Sequence, residues 1–158
     1  MKIILRLVLT SILTYSCQDS DNNKNTFRHI SQFNKLVLET RDDRCGEWGG
    51  DVTQLIIYRD TLEGSLLADY IEKTACYDGS KSKIINSIKR IKITNEEQKL
   101  VVESINELCE KKLNRLDIPS HSGRFNQIIL SDSSMIISDF PSVELKKFKE
   151  LSQIIKQK

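Results

Sequence analysis

The chain has 158 residues, with 24 basic and 22 acidic side chains, 39% hydrophobic and 6% aromatic residues, and four cysteines. That length suits one domain with its own core, and the near-balance of charge argues for no nucleic-acid partner. The slight basic excess belongs to the first residues: without residues 1–16, the remaining 142 carry 22 bases against 22 acids.

Taken in chain order, residues 1–16 read as a signal peptide. Lys2 and Arg6 form a positive start, Leu7 to Leu13 a short apolar run, and Thr14-Tyr15-Ser16 a cleavage site with small residues at −3 and −1. The apolar run falls short of the ~20 residues needed to span a bilayer, and no later segment approaches that length. The next residue is Cys17. Leu13-Thr14-Tyr15-Ser16-Cys17 resembles the lipobox of bacterial lipoproteins, although Thr14 stands where that pattern usually has leucine and Tyr15 is bulky for its place. The resemblance implies a diacylglycerol on the Cys17 sulfur, with palmitate-type acyl chains, and a membrane as the first partner. The following Cys17-Gln18-Asp19-Ser20-Asp21-Asn22-Asn23 resembles the acidic export tethers of Bacteroidota lipoproteins, which implies the cell envelope and its outer membrane. The plainer alternative is a cleaved secretory peptide followed by a cysteine of no consequence. Residues 17–26 are polar and lack apolar periodicity, as a solvated tether does, and residues 27–158 form the single expected domain, its ordered part beginning with Ile30 and Phe33.

Within that domain Lys35 to Thr40 and Val52 to Arg59 alternate as strands. Asp60 to Gly64 reads as a hairpin loop with Gly64 available for positive φ. Leu66 to Ala75 returns as a strand, although Leu66, Leu67, Tyr70 and Ile71 also suit one helical face. A turn at 78–82 leads to a strand over 85–93. Thr94-Asn95-Glu96-Glu97 is a capping box, with Lys111, Lys112 and Arg115 at the far end to match the helix dipole. Val101, Ile105, Leu108, Cys109 and Leu116 share one face at ~100° per residue. Phe125 to Leu130 and Met135 to Ser138 form a second hairpin turned by Ser131 to Ser134, and Pro141-Ser142 opens a final helix with Phe148, Leu151 and Ile155 on its apolar side. The order β-β-β-β-α-β-β-α predicts an α+β fold, an antiparallel meander plus a second hairpin packed by two helices.

Chemistry is sparsely marked. Cys45-Gly46-Glu47-Trp48-Gly49-Gly50-Asp51 places glycines around the one tryptophan, with carboxylates beside it. It reads either as a small ligand cleft of Glu47, Trp48 and Asp51 or as a strand connection whose glycines serve the turn. The segment resembles a Cys-Gly-Glu-aromatic-Gly-Gly signature of small exported Bacteroidota proteins, which implies no activity. If Cys17 is lipidated, Cys45, Cys76 and Cys109 remain. Cys45 follows the first strand and Cys76 the third, which leave a meander at the same end, so a Cys45–Cys76 disulfide is expected, worth ~3 kcal/mol. Cys109, on the helix face, is expected as a buried thiol. The cysteines, His29 and His121 lack metal-ligand spacing, so neither metal nor cofactor is expected. Asp42 and Asp43 are expected to face water. Residues 17–78 and 79–158 carry formal charges of −5 and +5, as two halves that attract across one domain would.

No phosphate loop, nucleophile elbow or dinucleotide fingerprint is present. The expected function is therefore a non-enzymatic binding or interaction module in the envelope, with an envelope protein as a candidate partner. The competing expectation is a small hydrolase using Glu47, Asp51 and His121.

Overall fold

The computed structural model describes residues 27–46, 50–74, 82–116 and 119–158. The leader, Cys17 and the tether lie outside them. The strands are β1 (Leu36–Arg41), β2 (Asp51–Arg59), β3 (Leu66–Thr74), β4 (Lys83–Lys92), β5 (Arg124–Leu130) and β6 (Ile136–Ser142). One helix, α1 (Asn95–Asn114), follows β4, and the other, α2 (Lys146–Lys156), follows β6. All six strands join one antiparallel sheet in the order β4-β3-β2-β1-β5-β6, a single α+β domain of the expected class. The second hairpin adds to the free edge of β1, so the meander and the hairpin form one continuous surface.

Both helices pack on one face of this sheet. Leu36 and Leu38, Leu55 and Ile57, Ala68 and Tyr70, and Ile128 point into it and are almost fully buried. Val101 and Leu108 from α1 and Phe148, Leu151 and Ile155 from α2 complete the core. The period of two in the strands and of 3.6 in the helices brings these apolar rows together.

The helices are tied to each other at both ends. The α1 start is capped locally: Thr94 Oγ1 accepts from the Glu97 amide, and a Glu97 carboxylate oxygen accepts from the Thr94 amide. Lys158, just past α2, pairs with Glu97 at 2.6 Å. The α2 start has Leu145 at its N-cap and no cap from its own segment. Instead the Glu107 carboxylate of α1 accepts from the Lys146 and Lys147 amides at 3.0 and 2.9 Å.

Several local expectations are corrected. Pro141 and Ser142 belong to β6, and the last helix begins at Lys146, because the chain must first reach the Glu107 cap. Leu116 lies beyond α1 and is exposed, as is Phe33, while Ile30 is buried. Gly64 has no positive φ; it is needed because a Cβ there would meet the Thr61 hydroxyl at 2.6 Å. Cys109 is only half-buried and is a free thiol. Asp43 is exposed as expected, but Asp42 is half-buried, its Oδ1 accepting from the Asp51 amide at 2.7 Å and the Arg44 amide at 3.2 Å.

Candidate functional site

Along the helix-covered face the cross-strand rows change character. The row Ile88–Tyr70–Leu55–Leu38–Ile128–Ile137 is apolar apart from one phenol, and the next row is Asn86–Glu72–Thr53–Thr40–Asn126–Asp139. Six polar residues thus cross the whole sheet on the side that faces the helices. Burying polar groups costs free energy unless each finds a partner, so the partners show what the row does.

On the β5–β6 side the row is met within the protein by hydrogen bonds and one ion pair, although Asp139 Oδ1 makes no hydrogen bond of good geometry. Thr40 donates to Asn126 Oδ1 at 2.6 Å, and Asn126 Nδ2 donates to Ser142 Oγ and the Val143 carbonyl, both at 2.8 Å. Buried Asp139 pairs with Arg115 at 2.9 Å. On the β2–β3 side the row instead opens on a cavity of about 190 Å³ between the sheet and α2. That is well above the ~30 Å³ of a single water.

Thr40, Thr53, Tyr70 and Glu72 line the sheet side of this cavity, Ser152 and the exposed Lys149, Gln153 and Lys156 the α2 side, and Arg124 and Glu144 one end. Leu145 and Phe148 supply an apolar wall. The Tyr70 and Ser152 hydroxyls are buried and make no hydrogen bond of good geometry, with Glu72 and Thr53 lying beside the Tyr70 hydroxyl; the two residues are 0% and 8% exposed. An unsatisfied buried hydroxyl costs about 1–3 kcal/mol, and native folds satisfy nearly all such groups with protein, water or ligand. Two of them line one cavity, which has room for a polar molecule, water or ligand, to complete their bonding. Burial, and then the neighbouring Glu72, push the Tyr70 pKa far up, so the phenol keeps its proton and remains a donor.

The charges around the cavity are largely matched. Lys156 pairs with Glu72 and lies over the Tyr70 ring at 5.9 Å. Lys149 pairs with Glu144 at 2.9 Å and, with Arg124 adding more weakly, holds that carboxyl below its usual range. Half-buried Arg124 feels Glu144 at longer range but makes no ion pair or hydrogen bond through its guanidinium among the described residues. A wider groove of about 520 Å³ runs between the helices at Leu100, Glu103, Lys147 and Ile154. Its polar side chains are exposed or already paired, as Lys147 is with Glu103 at 3.1 Å.

The residues singled out from sequence sit elsewhere. Glu47, Trp48 and Cys76 lie outside the described residues. Asp51 pairs with Arg44 at 2.7 Å, and His121 is exposed before β5; neither lines the cavity. Gly50 serves the connection, since a Cβ there would collide with Asp42. Cys45 is disulfide-bonded. Its loop leaves β1 at the end of the sheet where β3 also finishes, with Arg41 beside Val52 and Asp51 beside Thr74. Among the described residues no group of three or more His, Cys, Asp or Glu could hold a metal ion, and no helix is long and apolar enough to cross a membrane.

Sequence reasoning missed Tyr70, Ser152 and Arg124. The available signal was the break in alternation at Thr40, Thr53 and Glu72, polar residues on the same face as Leu38, Leu55 and Tyr70. No protein family, no characterised protein and no solved structure matches this chain.

Proposed function

We propose that this chain is a non-enzymatic binding domain of the cell envelope, carried on a lipid at Cys17, and that its ligand enters the cavity beneath α2. The observation that supports it is the pair of buried, unpartnered hydroxyls of Tyr70 and Ser152 on that cavity. Groups that reduce the stability of the empty fold and face an opening are better accounted for by binding than by packing.

The test is the stability of Tyr70→Phe and Ser152→Ala in the full chain, measured by urea unfolding. On the binding reading both variants keep or gain stability, by up to about 1 kcal/mol, because each removes an unsatisfied group. A loss above about 1 kcal/mol in both would mean that the hydroxyls are bonded in the resting protein, and the cavity would not be a site. For the anchor, intact mass of membrane-extracted protein is expected to show a diacylated chain beginning at Cys17; an unmodified soluble chain overturns it. The Cys45–Cys76 pairing predicts one free thiol, Cys109, in the denatured, unreduced mature domain.

A further inference from the structure

We propose that the cavity beneath α2 takes a small organic acid, its carboxylate on Arg124 and its hydroxyl or carbonyl oxygens on Tyr70 and Ser152. This rests on the binding reading above and names the chemistry of the ligand. Five charged side chains line the cavity, and four cancel in place: Lys156 with Glu72, and Lys149 with Glu144. The two carboxylates are thereby occupied, which removes the case for a cationic ligand. What remains is one guanidinium, a single positive charge with planar donors that match a carboxylate.

The remaining groups define the rest of the molecule. Tyr70 stays protonated and can donate; Ser152 can donate or accept. Both hydroxyls lie on the cavity wall, where a ligand oxygen can replace water. Leu145 and Phe148, 4% and 3% exposed, form a dry wall suited to a short carbon skeleton rather than a hydrated inorganic ion. The one unmatched charge fits a monoanion better than a phosphate dianion, and the volume limits the ligand to a few carbons.

The experiment titrates the isotopically labelled full chain with matched pairs that differ at the acid group: glycerate against glycerol, and gluconate against sorbitol, with inorganic phosphate as a fifth probe. Saturable amide shifts at Arg124, Ser152 and Gln153 with glycerate or gluconate, and none with the alcohols, are expected. Arg124→Gln is expected to weaken that binding at least about tenfold, the loss of a charge-assisted contact, while Tyr70→Phe and Ser152→Ala weaken it without unfolding the domain. Equal binding of glycerol or sorbitol, insensitive to Arg124→Gln, would overturn the acid and leave the cavity as a binding site. Preference for phosphate would overturn the carboxylate. No saturable shift with any probe would also overturn the acid class, while the stability of Tyr70→Phe and Ser152→Ala judges the binding reading separately.

Discussion

The two helices lie on the same sheet face but are held in different ways. α1 carries its own beginning, with Thr94 and Glu97 closing a box on each other's backbone three residues apart. α2 borrows its beginning: the acceptor for its first amides is Glu107, some forty residues earlier in the chain. The 11 residues of α2 are too few for a stable isolated helix, which needs about 12–15 or more even in favourable sequences. Its helicity therefore depends on burial and on a cap supplied in space. Because α2 also roofs the cavity, the site is assembled only once the whole domain has packed.

This contrast can be broken in graded steps. The largest effect is expected from Leu151→Ala, which empties a fully buried position under α2; the loss is about 2–5 kcal/mol by urea unfolding. Hydrogen exchange is expected to show α2 amides losing more protection than α1 amides, and equal losses would end the claim that α2 is the more dependent helix. Glu107→Ala leaves the Lys146 and Lys147 amides without their acceptor and is expected to cost about 1–2 kcal/mol, felt in α2 although the substitution lies in α1.

Thr94→Ala is the matched local experiment. It removes one side-chain cap at an exposed position and is expected to cost about 1 kcal/mol, with exchange quickening only in the first turn of α1. A change spreading into α2 would show that the two starts are not independent. The smallest effect concerns pH. Burial acts to raise the Glu97 pKa, but the bonds from Lys158 and from Thr94 outweigh it, so the carboxyl titrates below its ordinary value. A group depressed in the folded state contributes its stability in full above the unfolded pKa, about 4.3, and loses it as pH falls through the lower native value. Glu97→Gln is therefore expected to flatten the stability profile on that acid limb and leave its shape near neutrality unchanged.

The same division governs what could be read in advance. The strand alternation around Leu36–Leu38 and Leu55–Ile57 and the capping box at Thr94 are local patterns, and they led directly to the sheet class and to α1. The start of α2 was misplaced at Pro141 because its cap is not in its own segment. Asp42 was expected in water because nothing nearby in sequence announces that it closes the β1–β2 connection. The Glu47–Trp48–Asp51 segment drew attention by composition, whereas the cavity is built from ordinary residues whose meaning lies in who fails to partner them.

By itself, the sequence determined the α+β class, the single domain and the capped helix, since each depends on neighbours within a few residues. Tertiary structure decided that β5 joins β1, which side of the polar row is satisfied, that Arg124 is left with a charge of its own, and that Tyr70 and Ser152 meet across one cavity. Those facts depend on the partner a group finds across the sheet or beneath a helix, and hydrogen bonds and ion pairs are settled by distance in space.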